Sequence, residues 1–195
     1  LNGRAKISII MDLSRFIKRS LSNLNSVAVQ GGILAVLVLF FFLHNVRSVI
    51  IIALAIPLSI IATFSAMDFA GITLNMLSMG GLALGIGMLV DNAIVVLENV
   101  FRHREQEGED RRTAASKGTN EVAMAIIAST LTTVAVFLPV IFVPGIAGIM
   151  FRDQALTVTF SLMCSLLVAL TLVPILCSRF LRLESERKAK TWTYY

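Results

Sequence analysis

Charge is scarce in this chain. Asp, Glu, Lys and Arg make up 15% of its 195 residues, while 56% are hydrophobic. A soluble domain carries about a quarter charged residues. The shortage, with a mean hydropathy of +0.83, argues against an ordinary soluble domain. Cysteine is nearly missing as well: Cys164 and Cys177 share one apolar run, too far apart for a metal pair. They read as packed thiols, with neither a disulfide nor a metal role. The two histidines, His44 and His103, stand isolated in polar connections, make a poor metal site and read as solvated surface. No metal and no cofactor is therefore expected. The start has no basic segment followed by a short apolar core and a small-residue cleavage site, so no signal peptide is expected there. "GLALGIG" (81–87) is glycine-rich but lies within an apolar run that no strand enters. That argues against a phosphate-cradling loop. Nothing points to a hydrolytic nucleophile or a nucleic-acid surface.

What the chain does have is long apolar runs. Five of them, at 27–43, 48–67, 77–100, 122–143 and 156–178, are uncharged or nearly so. Each approaches the ~20 residues that cross ~30 Å of hydrocarbon as a helix. Strict alternation is absent, which argues against a β-barrel. The fold class expected is all-α integral membrane with five transmembrane helices. Residues 1–26 read as the exit of a preceding exterior segment and the amphipathic start of the first helix. Residues 27–178 form the five-helix region, and 179–195 a basic tail.

The net charge of +5 comes from 17 Lys and Arg against 12 acids, and most of these cations lie between apolar runs. They read as topology signals and lipid-headgroup contacts. With the N-terminus outside, the cytoplasmic side collects Arg47, the charged stretch "FRHREQEGEDRRTAASKGTN" (101–120) and the tail. The larger share of positive charge is then inside, as the positive-inside rule requires. "PGIAGIMFRD" (144–153) reads as a Gly-rich exterior connection. Pro57, Pro139 and Pro174 are expected to kink or loosen their helices.

One acid stands out. "LGIGMLVDNAIVVLEN" (84–99) puts Asp91 deep inside the third run, next to Asn92. Burying a carboxylate there costs ~2.5–3.5 kcal/mol, so it needs a partner or a proton. A carboxyl balanced between desolvation and a nearby cation can load and release a proton as its surroundings change. Two readings stand: a titrating proton relay, or a polar residue that fastens helices. Gly80 and Gly87 lie on Asp91's face of the helix, and Gly81 and Gly85 form a G-x-x-x-G pair beside it. Small residues admit a neighbouring helix, so Asp91 is expected to face protein. Asn92 is its polar partner. Thr130 and Thr133, mid-span in the fourth run, are available to the same polar core or bond back to their own helix. Glu98, with Asn99 after it, closes the motif near the cytoplasmic end, as an interfacial cap or as part of the site. Met76 and Met79 read as packing.

"GGLALGIGMLVDNAIVVLENVFRHRE" resembles the fourth transmembrane helix of resistance-nodulation-division (RND) efflux transporters of the hydrophobe/amphiphile type. "LFFFLHNVRSVIIIALAIPLSIIATF" is similar to their second and third spans. "FLPVIFVPGIAGIMFRDQALTVTFSLMCSLLVALTLVPILCSRFL" is similar to their fifth and sixth. The resemblance runs from "ISI" to "RFL" and implies spans two to six of the first half of such a pump. It implies a multidrug or amphiphile exporter of the bacterial inner membrane, N-terminus periplasmic, C-terminus cytoplasmic. Its driving force would be a proton gradient rather than a cofactor. It further implies that Asp91 carries the proton and that a Lys or other polar partner comes from a second half outside this chain. The position of Asn92 is often a second Asp in drug exporters, which puts proton stoichiometry in question. The implied partners are the first helix, the exterior domains, the second half, two further copies in a homotrimer and the lipid bilayer. A periplasmic adaptor and an outer-membrane channel are candidate partners; nucleic acid is not. The alternatives are an inactive truncated or scaffold membrane fragment, and an RND pump for metal ions or lipids.

Overall fold

The computed structural model of the chain describes residues 46–180 and scattered positions between Arg19 and Phe41. The expected N-terminal segment at 1–26, the first span at 27–43 and residues 181–195 of the tail fall wholly or largely outside the described residues. Among the described residues every regular element is helical: α1 (Val46–Phe69), α2 (Met76–Glu105), α3 (Arg111–Phe137), a 3-10 turn (Leu138–Phe142) and α4 (Ile146–Phe180). All four α-helices are long and apolar enough to cross a membrane, α3 together with its 3-10 extension.

The helices outrun the apolar stretches that mark them. α2 has 30 residues, or ~45 Å against ~30 Å of hydrocarbon. The stretch at 101–120, expected as a long connection, is almost entirely helix: α2 ends at Glu105 and α3 begins at Arg111. Charged residues stay helical once they leave the apolar layer, because water receives their side chains while the backbone keeps its own hydrogen bonds. The break is local. Gly108 takes φ +67°, which a side chain disfavours, and the Asp110 side chain caps α3 by accepting from the Arg112 N–H. The expected connection at 144–153 is likewise mostly helix. Gly145 (φ +88°) makes the turn, and α4 starts at Ile146. Pro139 ends α3, which passes into the 3-10 turn, whereas α1 and α4 run on through Pro57 and Pro174.

The start of α2 is tied down from two sides. Asn75 Oδ1 accepts from the N–H groups of Leu77 and Ser78, both at 2.9 Å, and Ser78 Oγ accepts from the Asn75 N–H at 2.8 Å. This is a reciprocal capping box. Asn75 Nδ2 also donates to Asp153 Oδ2 at 2.6 Å, which fastens the α1–α2 loop to α4.

α2 and α4 form the most extensive contact. α1 and α3 each pack against both of them and not against one another. Small and hydroxyl residues make the close approaches. On α1 the buried stripe is Ser48, Ile52, Ala55, Ser59 and Thr63, at helical spacing. On α4, Ser165 Oγ donates to the Leu89 carbonyl of α2 at 2.9 Å. The apolar core behind it includes Ile51, Val96, Leu97, Val100, Ala169 and Val173.

Candidate proton-relay groove

Asp91 sits midway along α2, and its surroundings divide that helix lengthwise. One side is packed. Gly81 and Gly85 are buried: a methyl at Gly81 would meet the Gln154 carbonyl of α4 at 2.7 Å, and one at Gly85 would collide with Ser161. The other side is open. Met76, Leu84, Gly87, Asp91, Val95 and Glu98 are all exposed, spaced three, four or more residues apart on one stripe. Gly80 and Gly87 have nothing within 4 Å of an added methyl. Asp91 therefore faces an open groove beside α3 and α4 rather than a tightly packed helix, and the described residues leave the Gly87 side of it uncovered. The two glycine pairs lie on different faces, and among the described residues only the Gly81/Gly85 face is tightly packed.

A groove of about 460 Å³ opens at Asp91 between α2, α3 and α4. Asp91, Asn92, Thr130 and Thr133 all line it, with Gly87 at its edge. Asn92 Nδ2 donates to Thr130 Oγ1 at 3.3 Å, joining α2 to α3. Thr130 is 3% exposed, so this bond satisfies a hydroxyl with little water around it. Thr133 instead donates back to the Ser129 carbonyl at 3.1 Å while lining the groove. Ser129, which the sequence reading passed over, lines the same groove. Its signal was there to read: it sits one residue before Thr130 and four before Thr133. The result is a carboxylate beside a carboxamide and three hydroxyls in an otherwise apolar cleft, with no cation among the groove's lining residues.

Glu98 does not reach this groove. It is exposed and lies within α2, which continues to Glu105 and is capped at Gln106. Asn99 turns to α3. Its Nδ2 donates to the Gly118 carbonyl at 2.8 Å and to Glu121 Oε2 at 3.0 Å, and its Oδ1 accepts from Arg102 Nε at 3.0 Å. Glu121 also takes Arg102 Nη2 at 2.6 Å and His103 Nε2 at 2.8 Å. These bonds, Asn99's foremost and His103's next, hold the Glu121 carboxyl down at about 2. In return Glu121's hydrogen bond raises His103 above its ordinary value, against the opposing effect of desolvation. His103 is thus not solvated surface. It is 8% exposed, enclosed by carboxylates from the turn after α2 and from α3.

Known proteins agree with the membrane architecture. The AcrB/AcrD/AcrF family profile matches residues 1–195. The chain is 40% identical over 187 residues to the multidrug resistance protein MdtC of Pectobacterium atrosepticum, covering 96% of this chain and 18% of that protein. It is 41% identical over 184 residues to MdtC of Escherichia coli O81, covering 94% and 18%. It is 40% identical over 184 residues to MdtC of Shigella flexneri, with the same coverage. The chain spans about a fifth of the length of these relatives. With four described helices of membrane-spanning length and this match over its whole extent, the chain belongs to the AcrB/AcrD/AcrF family of RND efflux transporters.

Proposed function

We propose that this chain supplies a membrane part of a proton-driven RND pump and that Asp91 carries the proton. The observation that carries the reading is the placement of Asp91: mid-helix, in a polar-lined groove, on the one α2 face that the described helices leave open. A carboxylate at that depth without a cation in its own groove needs a partner from elsewhere or a proton. A helix from the second half of the pump, bringing a Lys or polar group, would cover the Gly80–Gly87 face and supply that partner. Movement of that helix then changes the balance between desolvation and charge pairing, and Asp91 takes up or gives off a proton. Asn92 cannot titrate, so the groove has one protonatable group on α2. The Asn92–Thr130 bond holds α3 against that group and couples its movement to α3.

The rest of the reading follows the family. The driving force is the proton gradient and needs no cofactor. The chain lies in the inner membrane with its N-terminus periplasmic and its C-terminus cytoplasmic, in a homotrimeric pump. The exterior domains, with a periplasmic adaptor and an outer-membrane channel, would complete the export path. The relatives' name, multidrug resistance protein, favours drugs over metal ions or lipids as cargo.

The test is Asp91→Asn in the intact transporter. Drug efflux should fall to background while membrane insertion and assembly stay normal. Efflux retained at a normal proton gradient overturns the reading. A second reading concerns the chain alone. Because it spans 18% of its relatives, we propose that it conducts no protons by itself. Vesicles holding the chain and a pH-sensitive dye should show no proton uptake beyond protein-free vesicles.

A further inference from the structure

At the end of the bundle away from the Asn75 cap, the turn after α2 and α3 bring three carboxylates around the imidazole of His103 on α2. His103 Nδ1 lies 2.9 Å from Glu107 Oε2 and 3.3 Å from Glu109 Oε2. Nδ1 and Glu109 Oε2 are both fully buried atoms, and neither has a hydrogen-bond partner. The His103 side chain is 10% exposed and aimed at the two carboxylates. Two lone-pair-bearing atoms held this close repel unless something positive lies between them. A protonated imidazole would pair ionically with both oxygens; with the ring proton on Nε2, toward Glu121, a cation beside Nδ1 supplies that charge instead.

We propose that His103, Glu107 and Glu109 bind a first-row divalent transition cation, Zn²⁺ being the best fit, with Glu121 positioning the imidazole. Zn²⁺ bonds nitrogen and carboxylate oxygen at ~2.0–2.2 Å. With arms of ~2.1 Å, the two measured N···O separations subtend about 87° and about 104° at the cation, within the range of metal coordination. Each oxygen would then sit about 40–45° off the Nδ1 axis, which accounts for close approach without a hydrogen bond.

The surroundings fit the ligand roles. His103 Nε2 lies 2.8 Å from Glu121 Oε2. A carboxylate on the far nitrogen places the proton there and leaves the Nδ1 lone pair for the cation, as in carboxylate–histidine–zinc triads. Lys117 pairs with the other Glu109 oxygen, Oε1, which leaves Oε2 for the site. Gly108, in its left-handed conformation, lets the residues on either side of it fold back toward the imidazole. One nitrogen with two carboxylates favours Zn²⁺ or its first-row neighbours over Mg²⁺ and Ca²⁺, which prefer all-oxygen shells. Bound there, the cation would staple the end of α2 to the start of α3.

The test is titration of the full chain in detergent with Co²⁺, read by its visible d–d absorption, followed by displacement with Zn²⁺. One equivalent should give a four- or five-coordinate spectrum without a thiolate charge-transfer band, and Zn²⁺ should abolish it. His103→Ala should remove the signal, and His44→Ala should leave it unchanged. Glu107 is 43% exposed at its side chain, so Glu107→Gln tests a ligand at a position whose folding does not depend on it. It should weaken binding at least 10-fold. Glu121→Gln should weaken it 10- to 100-fold while leaving the spectrum's shape unchanged. No Co²⁺ spectrum, a spectrum unaffected by both His103→Ala and Glu107→Gln, or a thiolate band from Cys164 or Cys177 would each overturn the proposal.

Discussion

Gly85 and Gly87 are two residues apart on α2 and should respond to alanine with opposite signs. A methyl at Gly85 lands 2.6 Å from Ser161 Cβ and closer still to its hydroxyl. Carbon atoms in contact sit ~3.5–4.0 Å apart, so α4 must retreat by about 1 Å. Turning the Ser161 hydroxyl away relieves the oxygen but not Cβ, which is fixed to the backbone. Ser161 is fully buried, so the neighbouring side chains resist the shift. Overpacking of this kind costs ~1–3 kcal/mol. Alanine regains ~1 kcal/mol over glycine in helix propensity, which leaves a net loss of up to ~2 kcal/mol. Gly87 has nothing within 4 Å of an added methyl, so Gly87→Ala should gain the ~1 kcal/mol outright. Equilibrium unfolding in mixed detergent–SDS micelles, followed by far-ultraviolet circular dichroism, reads both. Combining Gly85→Ala with Ser161→Gly should recover part of the loss, with a coupling of ~1–3 kcal/mol. Equal stabilities for the two alanine variants, or no coupling between residues 85 and 161, would refute the assigned helix contact.

Further outcomes follow from other contacts. Gly118→Ala puts a methyl 2.8 Å from Val100 Cα and 2.9 Å from its nitrogen, backbone atoms that cannot rotate away. It should lower stability by up to ~2 kcal/mol despite its better helix propensity, read in the same unfolding assay. Thr130→Val leaves Asn92 Nδ2 without its 3.3 Å partner, for a loss of ~0.5–1.5 kcal/mol in unfolding. Asn75→Ala removes the capping box and the bond to Asp153 together. It should cost ~1–2 kcal/mol and speed amide hydrogen exchange in the first turn of α2.

The four described spans were legible because lipid leaves a chain few options: an apolar run of sufficient length must be helical. Their ends were not, because a helix can continue into water without any change in its backbone. The stretch around Arg102 and Arg111 looked like a loop by charge and is two helix ends joined by a short turn at Gly108. "PGIAGIMFRD" looked like a loop by glycine content, but only Gly145 takes the left-handed conformation. The groove residues were readable one by one, since Asp91, Asn92, Thr130 and Thr133 each break an apolar run. That Asn92 meets Thr130 while Thr133 bonds its own helix depends on how α3 rotates against α2, which no local pattern encodes. The burial of His103 was hidden for a related reason. Glu107 and Glu109 reach it through the turn, but Glu121 is brought in only by the packing of α3 at Gly118.

The central claim concerns the protonation of one carboxyl, and vibrational spectroscopy on the intact transporter tests it most directly. A carboxylic C=O band that is missing in Asp91→Asn should rise and fall as the pump is taken between its conformations by substrate and pH. A band that stays constant through the cycle, or a carboxylate signature that never converts to the acid, would contradict the account.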